Sequence, residues 1–525
     1  MTFSFNLIDR PWLPCLWLDG RAEELSLRDV FTHAMQLADV RGDTPPETAA
    51  LYRLLLAILY RAFDEPNRWL KQWEGFWRAG IWDTARLEAY LTQVQPAFDL
   101  FDPHRPFWQA PNLESRIETV SSLRAHLASG ADATWFDHTT EASGYPMTAA
   151  QAARALVAIQ AFGLAGTKGP TMSFNNAPCS RGVVFVVKGQ TLFKTLMLNL
   201  FDPNLPGYGL KRATGDDRAI WEVTKPFAKS PKRPYGYLDY LTWPNRRVLL
   251  LTEDGATVRE MRYEPGIKVE VDVFNPMMHW EAANKKGKKT DDGKKAISHY
   301  ALPFRLEKAF WRDSVALLAA ARFGSSDPAQ SKPPAAFNWI DNLIADGVLS
   351  NTHALRYEAL GMCTKSGQDK TYFYRAETMP LPLAYLNHDQ ADELVGKLGN
   401  AMKTANQVEK RLYFALNLLA ELVLSPTADQ KSGRKPDGKD VNNLLKGWDA
   451  ETFFWNGLER PFQELLITLP DEPDKARDAW HTTLGRRARQ AFDRAALAAG
   501  TSPRAHKAIA QAEAKLNFGL KDVFK

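Results

Sequence analysis

Cysteine is scarce in this sequence, and its spacing excludes several classes of protein. The chain has 525 residues but three cysteines, Cys15, Cys179 and Cys363, which lie far apart. This spacing matches neither a zinc ribbon nor a CxxC redox motif, and it cannot supply the disulfide framework of a small secreted domain. We therefore expect no bound metal or cofactor, and a reducing cytoplasm is the simplest location.

Long apolar runs and a secretory leader are missing as well. The longest apolar stretches, such as Leu54–Leu59 and Leu412–Leu424, are too short or too interrupted to span a bilayer. The first ten residues lack a basic region followed by an apolar one, which a secretory signal would require. The sequence thus predicts a protein with no membrane partner.

Neither sign of charge dominates, whereas aromatic residues are abundant. Lys and Arg number 66 against 61 Asp and Glu, which gives a net charge of +5 and permits nucleic-acid binding without requiring it. The 16 Trp, 28 Phe and 15 Tyr can bury far more apolar surface than a disordered chain. We expect most of these aromatics, Phe107 and Trp108 among them, in the cores of two or three domains.

The order of elements predicts an α+β fold with a boundary near residue 380. Pro45 and Pro46 begin a helix whose apolar residues recur on one face, and Thr148 caps a helix that runs to about Phe162. Residues 1–379 therefore form a large mixed N-terminal domain. Residues 380–525 form an antiparallel four-helix bundle. Its predicted helices are Gln390–Leu424, Glu451–Leu469, Pro473–Ala499 and Ser502–Leu520.

The common enzyme signatures are absent, and one weak alternative remains. The chain has no P-loop, no HExxH, no GxSxG and no protein-kinase motifs. His388-Asp389 is an HD dipeptide, which supplies metal ligands in some phosphohydrolases, so a metal-dependent phosphohydrolase is the alternative function. Asp389 would equally serve as the N-cap of the following helix. The pairs Asp102 with His104 and Asp137 with His138 have no assigned role.

A glycine-rich loop follows the helix that Thr148 caps. It contains Gly163, Gly166, Lys168 and Gly169. Glycines let backbone N–H groups approach a phosphate or a groove edge where a Cβ would clash. The other reading is a helix C-cap at Gly163 followed by an ordinary turn.

A lysine-rich segment, Asn284–Lys295, is predicted to be a polar loop. It carries Lys285, Lys286, Lys288, Lys289, Lys294 and Lys295 against two aspartates. Such a run could neutralise several phosphates and release their counterions, or it could be a solvated loop without a ligand.

A predicted β-hairpin, Leu355–Cys363 with Thr371–Glu377, has a polar tip. The tip contains Ser366, Gly367 and Gln368 between two lysines. An amide on a rigid hairpin can hydrogen-bond a base edge or enter a base step, although polar residues are also the usual content of hairpin turns.

Arginines cluster on one helix of the predicted bundle. Arg487 and Arg494 are seven residues apart and share a face, while Arg486 and Arg489 share another. These residues form either a stripe that contacts phosphate or the solvated face of the bundle.

Taken together, these segments resemble a known family. Residues 5–14, Phe-Asn-Leu-Ile-Asp-Arg-Pro-Trp-Leu-Pro, are similar to the opening of the CasA (Cse-one) family, the large subunit of the type I-E CRISPR Cascade complex. Residues 105–109, Arg-Pro-Phe-Trp-Gln, resemble its His-Pro-Phe-x-Gln element. The glycine loop, a Phe-Val-Val strand, residues 195–199, the polar hairpin and the terminal bundle follow in the family's order, so the resemblance covers essentially the whole chain.

The resemblance implies a non-catalytic subunit that recognises DNA. It would read a protospacer-adjacent motif in duplex DNA, promote strand opening and R-loop formation, and recruit the helicase-nuclease. Its partners would be guide RNA, double-stranded target DNA, the helicase-nuclease and the other Cascade subunits, which are the backbone, small and guide-handle-binding subunits. The implied DNA contacts are the glycine loop (Gly163, Gly166, Lys168, Gly169) and the wedge (Ser366, Gly367, Gln368). From their charge, we further expect Lys285, Lys286, Lys288 and Lys289 to hold the duplex or the displaced strand, with assistance from Arg486 and Arg487.

The implied RNA contact is an exposed aromatic that meets the guide's 5′ handle. Phe136 occupies this position, with Asp137 and His138 beside it.

The chain departs from the family in the segment Leu251–Met261. Some relatives carry a cysteine-rich, metal-binding insertion there, and we expect no metal at this place. The family's motif-reading lysine also falls in this segment, where Arg259 is the nearest cation in this sequence.

Overall fold

The chain is described by a computed structural model, in which it divides into two compact units. Unit 1 consists of Met1–Lys308 and Ala320–Thr378, and unit 2 of Ala309–Ala319 and Met379–Lys525. The structure describes residues 3–64, 68–124, 145–168, 172–204, 207–210, 215–228, 233–269, 273–289, 295–322, 331–350, 354–364, 371–387, 389–425 and 436–525.

The helices confirm the predicted α+β class with a helical C-terminal region. The first nine are α1 (Leu27–Thr32), α2 (Pro45–Ala62), α3 (Trp69–Ala79), α4 (Thr84–Val94), α5 (Ala149–Phe162), α6 (Leu192–Asn199), α7 (Tyr237–Leu241), α8 (Ser314–Arg322) and α9 (Ala335–Ala345). The C-terminal ones are α10 (Ala391–Leu424), α11 (Gly438–Trp448), α12 (Ala450–Asn456), α13 (Glu459–Thr468), α14 (Pro473–Ala498) and α15 (Pro503–Val523). In the described ranges, no helix is long and apolar enough to cross a membrane.

The strands form several small sheets. They are β1 (Leu13–Trp17), β2 (Ala22–Leu25), β3 (Leu37–Val40), β4 (Ile117–Thr119), β5 (Met147–Thr148), β6 (Gly166–Lys168), β7 (Met172–Phe174), β8 (Val184–Lys188), β9 (Arg246–Thr252), β10 (Thr257–Pro265), β11 (Trp280–Lys289), β12 (Lys295–Ala301), β13 (Ala354–Thr364) and β14 (Thr371–Pro382). Three sheets have the strand orders β2-β1-β3, β4-β10-β5 and β14-β13-β8, and β9 pairs with β10 in the second of them. The strand pairs β6-β7 and β11-β12 form two-stranded sheets.

Two helices of unit 1 begin where the sequence predicts. The Thr44 hydroxyl accepts from the Glu47 amide at the start of α2, and prolines occupy the first helical positions, where a missing N–H costs nothing. Thr148 and Gln151 form a reciprocal capping box on α5. Nearly every residue of α2 is buried, however, rather than the one face that its periodicity predicts. This helix therefore runs through the core of unit 1.

The predicted lysine loop is wrong in part, because residues 280–289 are the strand β11. It pairs antiparallel with β12, from Trp280 opposite Ala301 to Asn284 opposite Ile297, and the register shifts before Lys289 pairs with Lys295. The antiparallel ladder pairs backbone groups of β11 with those of β12, which offsets the weak strand propensity of lysine. Lys285, Lys286, Lys288 and Lys289 therefore lie on a hairpin strand, while residues 290–294 lie outside the described residues.

The polar hairpin is confirmed as β13 and β14. Strand β8 pairs with β13, with Tyr357 opposite Val187 and Glu358 opposite Val186. The amide of Phe185 in β8 also donates to the carbonyl of Met277, which lies just before β11. Strand β8 thus ties the stem of the β13–β14 hairpin to the start of the β11–β12 hairpin.

In its described residues, the segment Met379–Lys525 of unit 2 contains three long helices and three short ones, and the first part of α8 also belongs to this unit. Helix α10 packs against α14 and α15, while α11 contacts α10, and α12 and α13 contact α14. Helix α11 is absent from the sequence prediction, and the predicted helix Glu451–Leu469 is broken near Gly457. Arg487 contributes to this break, because its Nη2 donates to the Phe453 carbonyl at 2.6 Å near the end of α12. A Cβ on Gly457 would meet the Arg487 guanidinium, so that side chain would have to move if Gly457 were substituted.

A buried ionic cluster joins β3, α2, β8 and β13 in unit 1. Lys188 is 4% exposed, and its Nζ lies 2.6 Å from both Asp39 Oδ1 and Tyr52 Oη. Glu358 Oε2 lies 3.7 Å from the same Nζ, and Arg41 bridges Glu358 and Asp39 from the surface side. Burial lowers the pKa of Lys188, and the two carboxylates oppose this shift. The ammonium compensates two buried carboxylates at the stem of the β13–β14 hairpin.

The substitution Lys188→Met should therefore destabilise the protein strongly. It leaves Asp39 and Glu358 buried without the ammonium, a loss of about 3 kcal/mol in the free energy of unfolding. Denaturant unfolding of this variant should be compared with Lys71→Met, which removes an exposed lysine of α3 and should change stability by less than about 0.5 kcal/mol. Equal midpoints for the two variants would contradict a stabilising role for the cluster.

Candidate nucleic-acid interface

The glycine-rich segment is a short hairpin rather than an open loop. Strands β6 and β7 pair antiparallel, with Gly166 opposite Phe174 and Lys168 opposite Met172. Gly166 is exposed, and a Cβ placed on it would meet no atom within 4 Å. Gly169 lies outside the described residues. The hairpin therefore presents a stretch of bare backbone at Gly166.

Gly163 lies at the base of this hairpin and is buried. It ends α5 with φ −57° and ψ 126°, so the left-handed conformation of a glycine C-cap does not apply here. A Cβ would lie 2.6 Å from Arg246 Nη2 and 2.8 Å from the Ile159 carbonyl oxygen. Glycine is thus required at 163 because a buried guanidinium packs against its Cα.

That guanidinium, of Arg246 on β9, closes the base of the hairpin. Arg246 Nη2 donates to the Leu164 carbonyl at 2.7 Å, and Nη1 donates to the Asn175 carbonyl at 2.9 Å. These two carbonyls belong to the two stems of the hairpin, one before β6 and one after β7. Asn176 Oδ1 adds a second closure by accepting from the Ala165 amide at 3.0 Å. One planar, five-donor group therefore fixes both ends of the hairpin.

Arg246 is 1% exposed, and oxygen dipoles compensate its charge instead of a carboxylate. Its Nε donates to Tyr263 Oη at 2.9 Å, and its backbone exchanges two hydrogen bonds with the Gln160 side chain, of 2.8 and 2.9 Å. Phe174 of β7 stacks on Tyr263 at 4.8 Å and lies under the guanidinium at 5.2 Å. Burial raises the pKa of Tyr263, so its hydroxyl stays protonated. The hairpin is thereby held on strand β10.

Strand β10 also carries Arg259 and borders the predicted RNA-contacting segment. The β9–β10 register shifts between Val258 and Glu260, which places exposed Arg259 in a β-bulge. On the other edge of β10, Met147 of β5 pairs with Val258, and Thr119 of β4 pairs with Glu260. Both ends of the segment from 125 to 144 are therefore fixed at adjacent positions of one strand. Phe136, Asp137 and His138 themselves lie outside the described residues.

The stem before that segment is fixed by a second buried ionic cluster. Arg124, the last described residue before it, donates through Nη2 to Asp43 at 2.7 Å and lies 3.6 Å from Glu47. Glu47 also pairs with buried Arg154 at 3.0 Å. Burial raises the pKa of Glu47, and the two guanidiniums oppose this shift. The segment that carries Phe136 thus begins from a rigid base.

The wedge hairpin has a described stem and a tip outside the described residues. Ser366, Gly367 and Gln368 belong to that tip. The stem is anchored by Glu358 of β13, which takes part in the Lys188 cluster, and by Arg375 of β14, whose Nη1 donates to the Lys308 carbonyl at 3.3 Å. A stem held on both strands is suited to push a polar tip against another surface.

The bundle arginines divide into two groups. Arg487 and Arg494 lie over the Phe453 ring at 4.4 and 5.3 Å, so the face they share points toward α12. Burial lowers the pKa of Arg487, and its Nη1 donates to Gln490. Arg486 is exposed on α14, and Arg489 Nε approaches Asn517 Oδ1 at 3.4 Å. Arg486 is the one of the two implied contacts that lies on the surface.

The phosphohydrolase alternative gains no support. His388 lies outside the described residues, and Asp389 is exposed with its amide donating to Asn387 Oδ1 at 2.9 Å. The expected N-cap role of Asp389 is wrong, since Gln390 is the N-cap of α10 and makes no side-chain capping bond. The parts of the chain that the structure describes contain no group of three or more His, Cys, Asp or Glu that could hold a metal ion.

Sequence reasoning missed Arg246, Asn176 and Tyr263, which position the glycine hairpin. No motif marks them, because their partners lie up to about a hundred residues away along the chain. One available signal was the pair Arg246 and Arg247, two charged residues directly before the apolar strand residues 248–251. A charge at the start of a buried strand requires compensation, and backbone carbonyls of a loop can supply it.

The substitution Arg246→Lys should loosen the glycine hairpin without removing the positive charge. Lysine cannot reach the two stem carbonyls and Tyr263 together, so the amides of β6 and β7 should exchange hydrogen about tenfold faster or more. Arg259→Lys, on the same strand pair but exposed, should leave that exchange unchanged. Equal protection of the hairpin in both variants would refute the role of Arg246 as its clamp.

Comparisons with known proteins agree with this architecture along the whole chain. The sequence pattern of the family described as CRISPR-associated protein Cse1 matches residues 6–491. The CRISPR-associated protein CasA/Cse1 of Thermus thermophilus is 33% identical over 524 residues, which cover 97% of this chain and 96% of that protein.

Solved structures share the fold. A crystal structure of CasA from Thermus thermophilus has a TM-score of 0.76 at 28% identity and covers 99% of both chains. A chain of a structure titled "CRISPR RNA-guided surveillance complex" has a TM-score of 0.72 at 22% identity and covers 98% of this chain and 99% of that chain. Since the family pattern spans most of the sequence and the relative spans nearly all of it, the chain belongs to the CasA/Cse1 family of CRISPR-associated proteins.

Proposed function

We propose that this chain is the non-catalytic DNA-recognition subunit of a cytoplasmic, RNA-guided CRISPR Cascade complex. It would read a protospacer-adjacent motif in duplex DNA, promote strand opening and R-loop formation, and recruit the helicase-nuclease. Its partners would be the guide RNA, the target duplex and the other Cascade subunits. Family membership supports the assembly, since a protein of the same fold is part of a solved surveillance complex.

The observation that carries the motif-reading role is the exposed, unobstructed backbone of Gly166. The minor groove is about 6 Å wide and admits backbone more readily than bulky side chains. A hairpin whose base is closed by Arg246 can present that backbone without the entropy loss of ordering a mobile loop. Because minor-groove patterns are degenerate, such a reader should accept several related motifs.

Arg259 is the proposed cation beside this reader. It is exposed in a β-bulge of β10, the strand on which the glycine hairpin packs. In the family a lysine reads the motif from this region, and Arg259 would replace it. An arginine carries a wider donor fork than a lysine, so the preferred motif should differ from that of lysine-bearing relatives.

The β13–β14 hairpin is the proposed wedge, with Gln368 entering the duplex. Parting one base step costs a few kcal/mol, which guide pairing then offsets. A wedge needs a rigid stem, and the stem of this hairpin is anchored to the Lys188 cluster through Glu358. Phe136, Asp137 and His138 would meet the guide RNA from a segment whose ends are fixed on β10.

The β11–β12 hairpin and Arg486 are the proposed electrostatic contacts with DNA. Lys285, Lys286, Lys288 and Lys289 lie close together on β11 and can neutralise several phosphates. Arg487 contributes less than proposed from the sequence, because its guanidinium is occupied by Phe453 and Gln490.

The substitution Gly166→Ala should weaken recognition of the motif without loss of stability. The added methyl meets open space in the free protein, but it would lie between the hairpin backbone and the groove. Within the assembled complex, affinity for a duplex with the motif should fall about tenfold, and affinity for a duplex lacking it should change little. Gly75→Ala on α3, which also meets open space, is the matched control. Unchanged motif discrimination would remove Gly166 from the reading surface.

Replacing Lys285, Lys286, Lys288 and Lys289 with glutamine should reduce the salt dependence of DNA binding. If all four contact phosphates, the slope of log affinity against log salt should become shallower by about 3 to 4. Replacement of four exposed bundle lysines, Lys403, Lys439, Lys507 and Lys515, is the charge-matched control. Equal slopes in the two variants would place the β11 lysines off the DNA path.

A further inference from the structure

Unit 1 contains a half-open pocket that motif reading does not use. It lies between residues 104–111 and residues 220–227, has a volume of about 380 Å³, and is bordered by Arg247 of β9. This volume is within the range of about 300 to 1,000 Å³ that suits a small-molecule ligand. The pocket includes residues 105–109, the segment that resembles the family element but has no role in the function proposed above.

The composition of the pocket combines aromatic walls with a positive rim. Trp108, Trp221 and Phe227 line it together with Arg105, Lys225, Arg247 and His104, and no Asp or Glu is among its described lining residues. The absence of carboxylates from this lining favours an anion over a cation. Aromatic walls favour a planar, apolar part in the same ligand, because an aromatic side chain stacks favourably on the face of any base.

Trp108 carries two signs of a binding role. It has φ 52°, a left-handed conformation that is strained for a bulky aromatic residue. Its side chain is buried to 6% exposure, yet its Nε1 has no hydrogen-bond partner in the structure. A buried indole N–H without an acceptor is costly, and strained residues cluster at ligand sites. An acceptor on a bound ligand would satisfy it.

The cations of the rim are held in place but keep free donors. Asp102 Oδ1 accepts from the amides of His104 and Arg105, which fixes the turn that carries them, and Arg105 Nη2 donates to the Trp221 carbonyl. Arg247 pairs with Glu264 through Nη1 at 3.2 Å, and its buried Nε has no partner. Lys225 is exposed at the mouth. The rim therefore offers preorganised donors for a phosphate.

We infer that this pocket binds one nucleotide of a single strand, with the base against the aromatic wall and the phosphate at Arg105, Lys225 and Arg247. The inference does not depend on motif reading, because it concerns a single-stranded nucleotide and a different part of unit 1. The strand is either guide RNA or the displaced DNA strand, which share this chemistry. A free nucleotide is the alternative ligand, and the test distinguishes it from guide RNA and from displaced DNA.

The test uses photo-crosslinking of the purified full chain to short single strands. Thiothymidine DNA and thiouridine RNA are irradiated with the protein, and the crosslinked peptides are mapped by mass spectrometry. Crosslinks should fall in the peptides that contain Trp108 or Phe227, and Lys225→Ala should lower the affinity about tenfold. Lys71→Ala, an exposed lysine of α3, is the control and should have no effect.

A second variant separates binding from folding. Trp108→Phe keeps an aromatic six-membered ring but removes the unpartnered N–H. Removal of that unsatisfied donor offsets part of the lost packing, so the melting temperature should change by only a few degrees while affinity for the strand falls several-fold. Crosslinks that avoid both peptides, or equal affinities of the Lys225 and Lys71 variants, would overturn the inference. If neither strand crosslinks but AMP raises the melting temperature of the chain, the inference is also overturned, and the pocket is assigned to a free nucleotide. In the assembled complex, a photoreactive nucleotide placed in the guide or in the displaced strand shows which of the two occupies the pocket. This result does not depend on the outcome for Gly166→Ala.

Discussion

The placement of the candidate DNA-reading hairpin depends on one buried guanidinium. Arg246 bonds the carbonyls of both stems and the phenol of Tyr263, and it supports Phe174 from above. Its position excludes any side chain at Gly163. Burial of a charge without hydrogen-bond partners has a high free-energy cost. The buried arginine therefore depends on the hairpin carbonyls, and the base of the hairpin depends on the arginine. This mutual requirement makes the base of the hairpin rigid and leaves Gly166 free to face a ligand.

Two strands, β10 and β8, position the candidate contacts of unit 1. Strand β10 holds the glycine hairpin, the bulge with Arg259, and both ends of the segment that contains Phe136. Strand β8 holds the stem of the wedge and the start of the lysine hairpin. Segments more than a hundred residues apart in sequence are thereby fixed to two short pieces of backbone. Loops placed by a rigid scaffold in this way are the usual carriers of recognition.

The sequence predicted elements with strong local signals and missed those that depend on distant partners. Pro45 with Pro46 and the cap Thr148 are local signals of helix starts, so the beginnings of both helices were predicted correctly. The lysines of β11 have a low strand propensity, so their sequence does not predict a strand. The strand forms because it pairs with β12. At the break near Gly457, Arg487 from another helix bonds the Phe453 carbonyl, a contact that the sequence does not display. For the site, the sequence indicated candidate residues, whereas the clamp and the aromatic pocket required the tertiary structure.

The two anchoring networks hold the hairpins by different chemistry. The glycine hairpin is held by hydrogen bonds from one guanidinium to two backbone carbonyls and to the phenol of Tyr263. The wedge stem is held by the paired charges of Lys188, Asp39 and Glu358. Loss of a single charge would therefore loosen the wedge, whereas the hairpin depends on the shape of one donor group.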